Sequence, residues 1–267
     1  MKASPLIKLA SWVAGCDVGD HPPARVDLIK RHLVDVVGAR VAGSRLSEGV
    51  AATQFGASIH DSLQATVIAA CAHVRCTELD DIHLASCTTP GAVIVPTVLA
   101  LAASGVVRSM AECCSAALAG YESMIRLGLA IDGPSALHRG VWPTHFAAAF
   151  GSAAATSRAL RLDAEKTAGA MATALAFGSG PPVPGSLASS SRWITLGVAA
   201  ANGVMAARAA EAGLVGTPAP LLSSKALVDG LGRRLAFDAM GMKPFPTARQ
   251  GLAAIEATRS IVLSTPT

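Results

Sequence analysis

Glu78-Leu79-Asp80-Asp81-Ile82-His83, continuing through Leu84 to Thr89 and closing on Pro90-Gly91-Ala92-Val93-Ile94-Val95-Pro96, is the stretch on which the reading of this chain turns. It gathers three acids, a histidine and several hydroxyls and ends on Pro-Gly, a composition that interrupts regular structure. From Ala92 onward the residues become small and apolar. The segment from Arg75 to Gly91 therefore reads as a polar loop hung between helices, with one helix over 62–73 before it and others over 92–104 and 110–129 after it.

The same pattern extends in both directions. Pro22-Pro23 opens a run from Ala24 to Ala42 in which Val26, Ile29, Leu33, Val36 and Val37 recur at helical spacing, and Gly43-Ser44 ends it. Met1 to Gly15 reads as a first amphipathic helix, since Lys8 breaks the apolar run that a cleaved signal needs. A loop from Asp132 to Val141 leads to a small-residue helix over 143–160. Asp163 is placed to cap the next helix, which runs to Phe177, and Gly178 to Ser191 forms a second loop rich in Gly, Pro and Ser. A helix over 194–212 ends where Gly213 suits a C-terminal cap. Beyond it come a short helix near 224–231, an extended piece over 242–247 and a last helix. Strand signals are nearly absent, so the fold class expected is all-α, a multi-helix bundle.

Composition narrows the partners. Hydrophobic residues make up 51% and charged residues 15%, yet a spanning helix needs ~20 consecutive apolar residues. Val93 to Ala103 is too short and carries Pro96, and Val198 to Ala210 contains Asn202 and Arg208. No membrane span is expected. The apolar excess is mostly alanine, which suits closely packed helices and a buried subunit interface, hence a homodimer. A net charge of +4 without basic clusters, and only 4% aromatics, argue against a nucleic-acid partner. The six cysteines show no disulfide spacing, so reduced thiols and a cytoplasmic location are expected. Cys71, His73, Cys76, His83 and Cys87 match no regular zinc module and no iron–sulfur ligand set, so no metal is expected. Ser189-Ser190-Ser191 lacks a nucleophile elbow, and Gly178 to Gly185 lacks the G-K-S of a phosphate loop.

Four stretches in order carry a more specific signal. The opening stretch resembles a D-x-D-D-x-H run followed by H-P-G and V-x-P. Gly140-Val141-Trp142-Pro143-Thr144 with Phe150 to Ala154 resembles G-x-H-P-T followed by F-G-A-A-A. Ser191-Arg192-Trp193 with Gly203 to Ala207 resembles a T-K-x-L-H-A-G segment and the S-G-x-x-A-A that follows it. Met242-Lys243-Pro244-Phe245-Pro246 with Arg249 resembles K-P-Y-P-x-x-R. Together they resemble the large helical domain of the MmgE/PrpD family, which includes 2-methylcitrate dehydratase, cis-aconitate decarboxylase and iminodisuccinate epimerase. The resemblance implies a helical domain over 1–241, with 242–267 as the start of the family's second, lid domain. It also implies a small carboxylate or β-keto substrate and no cofactor, with a separate lid-like chain as a conceivable partner. The departures are as informative. Thr89 and Trp142 stand where histidines are usual, Arg192 replaces a lysine, Thr195 and Leu252 replace further histidines, and Glu78 replaces an aspartate. Lys243 is retained.

The family's reactions turn on a carbon beside a carboxylate, which calls for a base and for fixed positive charge near the developing anion. The candidate catalytic residues are His83, Glu78, Asp81 and Lys243. The candidate substrate-binding residues are Arg192, Thr89, Trp142, His145 and Arg249. Each has a plainer reading: His83 ties down the loop, the acids cap the helix near Ala92, and Lys243 and Arg192 are surface cations. Likewise His145 is a satisfied structural histidine, and Trp142 either fills vacated volume or lines an apolar pocket for a substrate with more hydrocarbon. The function expected is a cofactor-independent lyase, isomerase or cyclase, and the alternative is a non-catalytic helical scaffold or binding subunit.

Overall fold

The computed structural model describes residues 3–178 and 190–264, and among them are eleven α-helices and two isolated β-bridges but no strand. Three helices form the centre: α6 (Met110–Ala130), α8 (Pro143–Ala159) and α10 (Ser191–Glu211). Helix α8 packs most extensively on the other two. The alanine and glycine content explains how closely they approach. A Cβ on Gly151 would sit 2.6 Å from the Met124 Cβ, and one on Gly203 only 2.3 Å from the Ala149 carbonyl oxygen. Helices α1 (Pro5–Ala14), α4 (Ser62–Arg75), α5 (Gly91–Ala103) and α9 (Ala164–Ala176) surround this centre, with α2 (Pro23–Gly43) outside α4 and α5.

Capping follows local chemistry. Asp163 accepts the Lys166 amide at 2.8 Å, and Asp61 accepts that of Gln64 at the start of α4. Gly213, with φ of 96°, terminates α10 in the left-handed conformation that glycine adopts without a Cβ penalty.

Three expectations need correction. A helix not foreseen, α3 (Ser47–Ala57), follows α2 almost at once; Val50 and Phe55 on it are exposed, so the apolar periodicity that announces a packed helix is weak. The loop expected over 132–141 contains α7 (Gly133–His138), a single short helix with proline in its first turn. The helix expected over 224–231 is replaced by tight 3-10 turns at Pro220–Ser223 and Lys225–Leu227. The glycine-rich loop expected over 178–191 lies mostly outside the described residues.

The segment after α10 is tied down by a buried ion pair on α6. Arg126 Nε donates to Glu122 Oε1 at 2.7 Å, and both side chains are almost wholly buried. The guanidinium also donates to the carbonyls of Leu227, Asp229 and Arg234, while the Glu122 carboxylate accepts the amides of Ala236 and Phe237. An ion pair satisfied on every side escapes the cost of a bare buried charge. It directs the chain back to the polar loop, where Ile82 and Gly241 exchange both backbone hydrogen bonds at 2.8 and 2.9 Å. Lys243 follows two residues later, beside Glu78 and Asp80. Helix α11 (Arg249–Ser264) then extends with no buried residue.

Candidate active site

The polar loop begins where α4 ends. The Thr77 hydroxyl donates to the Val74 carbonyl and accepts the Leu79 amide, and Glu78 between them takes a left-handed φ of 55°. Such a conformation is costly for a residue with a side chain and persists where surrounding contacts enforce it. Here the Glu78 carboxylate meets Arg75 at 2.7 Å and Lys243 at 3.5 Å. Asp80, fully buried, bridges the same two cations at 3.1 and 3.0 Å. Burial works to raise the Glu78 carboxyl, but Arg75, with help from Lys243 and Arg192, outweighs it and leaves the group below the ordinary value. Burial pushes the Asp80 carboxyl up in spite of both cations.

Beside this cluster lies a cavity of about 190 Å³. Six of the residues singled out in the sequence line it: Glu78, Thr89, Trp142, Arg192, Lys243 and Arg249. Arg75, Trp193, Thr144 and Cys87 line it too, and sequence reasoning did not find them as site residues. Arg75 sits at a helix terminus, Trp193 one residue after Arg192, and Thr144 two after Trp142, so adjacency to the recognised segments was the available signal. The aromatic and cationic side chains interleave. The Arg192 guanidinium carbon lies 3.8 Å from the Trp193 ring centroid, and that of Arg75 lies 5.2 Å from Trp193 and 5.5 Å from Trp142. Such contacts are attractive through the ring quadrupole and hold a guanidinium in place.

The cations differ in occupation. Arg75 and Lys243 are matched by Glu78 and Asp80, and the Lys243 ammonium also donates to the Glu78 carbonyl at 3.1 Å. Among the described residues, Arg192 and Arg249 pair with no carboxylate. Residues 179–189 contain no acid that could pair with them either. Burial, then the like charge of Arg75, lowers the Arg192 guanidinium against the pull of Glu78. Three helices also begin on the cavity, with Thr144 in the first turn of α8, Arg192 in that of α10 and Arg249 opening α11. Among the described residues neither N-cap residue, Trp142 of α8 or Ser190 of α10, makes a side-chain capping bond, so these N-terminal dipoles add to the positive field.

Asp81, His83 and His145 do not line the cavity. Asp81 is turned into the core, where it accepts the Gly91 amide at 2.7 Å and the Tyr121 hydroxyl at 2.7 Å and pairs with His32 at 2.8 Å. It caps α5 from behind, and a Cβ on Gly91 would collide with its carboxylate at 2.5 Å. The acids before His83 neither orient it nor raise its pKa. Ser86 does the orienting, through its hydroxyl at 2.9 Å and its amide at 3.2 Å to Nδ1, and burial pushes the imidazole down. With Nδ1 accepting an amide, the neutral ring carries its proton on Nε2. His145 is buried in the first turn of α8 and is likewise pushed down by burial. Among the described residues no three metal-ligating side chains converge, and no helix is long and apolar enough to cross a membrane.

Residues 7–234 match the MmgE/PrpD N-terminal domain. The chain belongs to the MmgE/PrpD family. No curated relative matches it. The match ends at residue 234, so of the cavity's walls the polar loop and the starts of α8 and α10 fall inside it, while Lys243 and Arg249 fall beyond.

Proposed function

We propose that this MmgE/PrpD protein is a cofactor-independent lyase or isomerase that moves a proton beside the carboxylate of a small organic acid held in this cavity. The observation that carries the reading is the pair of unmatched cations, Arg192 and Arg249, on a cavity where three helices begin. An anion entering there meets two guanidinium groups that form no ion pair with a carboxylate among the described residues. In this reading Arg192 offers its fork to the substrate carboxylate. Lys243 is a positioning residue, its ammonium held against Asp80 and Glu78. Glu78 is the proton acceptor, since among the described residues it is the one carboxylate lining the cavity and Arg75 keeps it ionised. Thr89 and Thr144 supply hydroxyls where the negative charge develops, and their oxygens already lie 3.3 Å apart.

One observation favours a second reading. Among the described residues no imidazole lines the cavity, which suits a subunit that binds an acid without transforming it. Proton exchange separates the two. The protein is incubated in deuterium oxide with a panel of small di- and tricarboxylates and β-keto acids, and deuterium at the carbon beside the carboxylate is followed by NMR. Calorimetry measures binding of the same panel. The enzyme reading expects exchange with at least one acid and its loss in Glu78→Gln with binding retained. Binding with no exchange across the panel would leave the binding subunit as the better reading.

A further inference from the structure

We infer that the acid this cavity selects has a flat, conjugated or aromatic body, and that Trp142 is the residue that makes the selection; the inference rests on the reading of the cavity as an acid site. The walls are of two kinds. The cations lie beside Glu78, while Trp142, Trp193, Ile82 and Leu137 present apolar surface to the same space. A fully hydroxylated acid would leave polar groups against that surface without partners. A cavity of about 190 Å³ is slightly larger than the ~150 Å³ that accommodates benzene, so one six-membered ring fits with room for a carboxylate on a short side arm, whose adjoining carbon still carries a proton.

The aromatic wall adds shape to size. Arg192, Trp193, Arg75 and Trp142 form a ladder in which each guanidinium sits near an indole face. Trp193 is 6% exposed and in contact with both arginines. Trp142 is different. Pro143 follows it, which restricts it to the extended backbone seen at the start of α8, φ −82° and ψ 108°. Its ring is part-exposed, with the Arg75 guanidinium 5.5 Å from its centroid and the His145 ring at 6.1 Å, tilted by 37°. A planar ligand can lie along such an indole at stacking distance, whereas a puckered ring of equal size makes contact at only a few hydrogens. An arginine lying over an indole keeps its in-plane N–H groups free for a carboxylate, so Arg192 suits an acid group at the edge of the same flat body.

The test compares two acids of equal charge and nearly equal size, benzoate and cyclohexanecarboxylate, with succinate as a saturated diacid, by calorimetry on the intact chain. Benzoate is expected to bind about fivefold or more tighter than cyclohexanecarboxylate, although the saturated ring is the more hydrophobic. In Trp142→Leu, which keeps apolar volume and removes the indole face, that ratio is expected to fall to about twofold or less, while Trp142→Phe keeps most of it. A ratio of dissociation constants is insensitive to a partly inactive preparation, so a destabilised variant still reports. Equal binding of the two ring acids, or a ratio unchanged in Trp142→Leu, overturns the inference and leaves the acid site standing. Failure of all three acids to bind, with the di- and tricarboxylates also silent, overturns the acid site and the inference with it.

Discussion

Two lysine- and arginine-bearing positions that look alike in the sequence have different work in the fold. Lys243 is buried and matched, so Lys243→Met leaves Asp80 in the interior with one cation fewer, and a loss of about 3–5 kcal/mol in urea denaturation is expected. Arg192 is reached by solvent and pairs with no acid among the described residues, so Arg192→Ala should leave the urea midpoint close to that of the parent. Calorimetry should instead show acid binding about tenfold weaker, less than for a fully buried charge because water screens it. The converse pattern, a stable Lys243→Met and an unfolded Arg192→Ala, would refute this division. The sequence made both positions visible as cations. It did not distinguish them, because the difference lies in how Asp80 and Glu78 point, and side-chain direction in an irregular loop follows from tertiary contacts rather than from spacing.

At the scale of elements, the loop over 76–90 works through two neighbouring acids that face opposite ways. Asp80 serves the cavity and Asp81 serves the core. Asp81→Ala strips the buried Gly91 amide, the Tyr121 hydroxyl and the His32 ring of their shared acceptor. A loss of roughly 3–5 kcal/mol is expected by urea denaturation, and an Asp81→Ala protein of parental stability would show that the cap matters little. Helix boundaries around this loop were legible, since Arg75 and Gly91 end and begin helices where polar and apolar residues change over. Helix α3 was not, because its neighbours do not bury a full stripe of it, and neither was α7, whose six residues are too few for a period to show. The position of the cavity was legible in outline from residues 78, 89, 142, 192, 243 and 249. The exclusion of Asp81, His83 and His145 was not, since each is directly beside a lining residue, Ile82 or Thr144, and rotation about the chain decides which way it faces.

For the whole molecule, three buried histidines set a dependence on acid. Burial pushes His73, His83 and His145 below their ordinary value of 6.5, so in the folded state they stay neutral while the unfolded chain takes up protons below that pH. The unfolded state then binds more protons, and stability falls as the pH drops through 6.5 toward the lower folded values. Urea midpoints at constant salt should be flat above about pH 7 and decline below it; a midpoint that rises on acidification would contradict the assignment. We also propose that a second copy covers the ridge on α2 formed by Val34, Val37 and Val41, at 73%, 40% and 50% exposure. Sedimentation equilibrium should then give twice the chain mass, and a monomer would exclude the dimer. The pairing of Ile82 with Gly241 has a temporal meaning as well. Of the cavity's walls, the polar loop and the starts of α8 and α10 are synthesised before Lys243 and Arg249. A nascent chain stalled before Gly241 can form its central helices and still hold no acid, so capture of the acid by ribosome-bound chains of increasing length should begin only once those residues emerge.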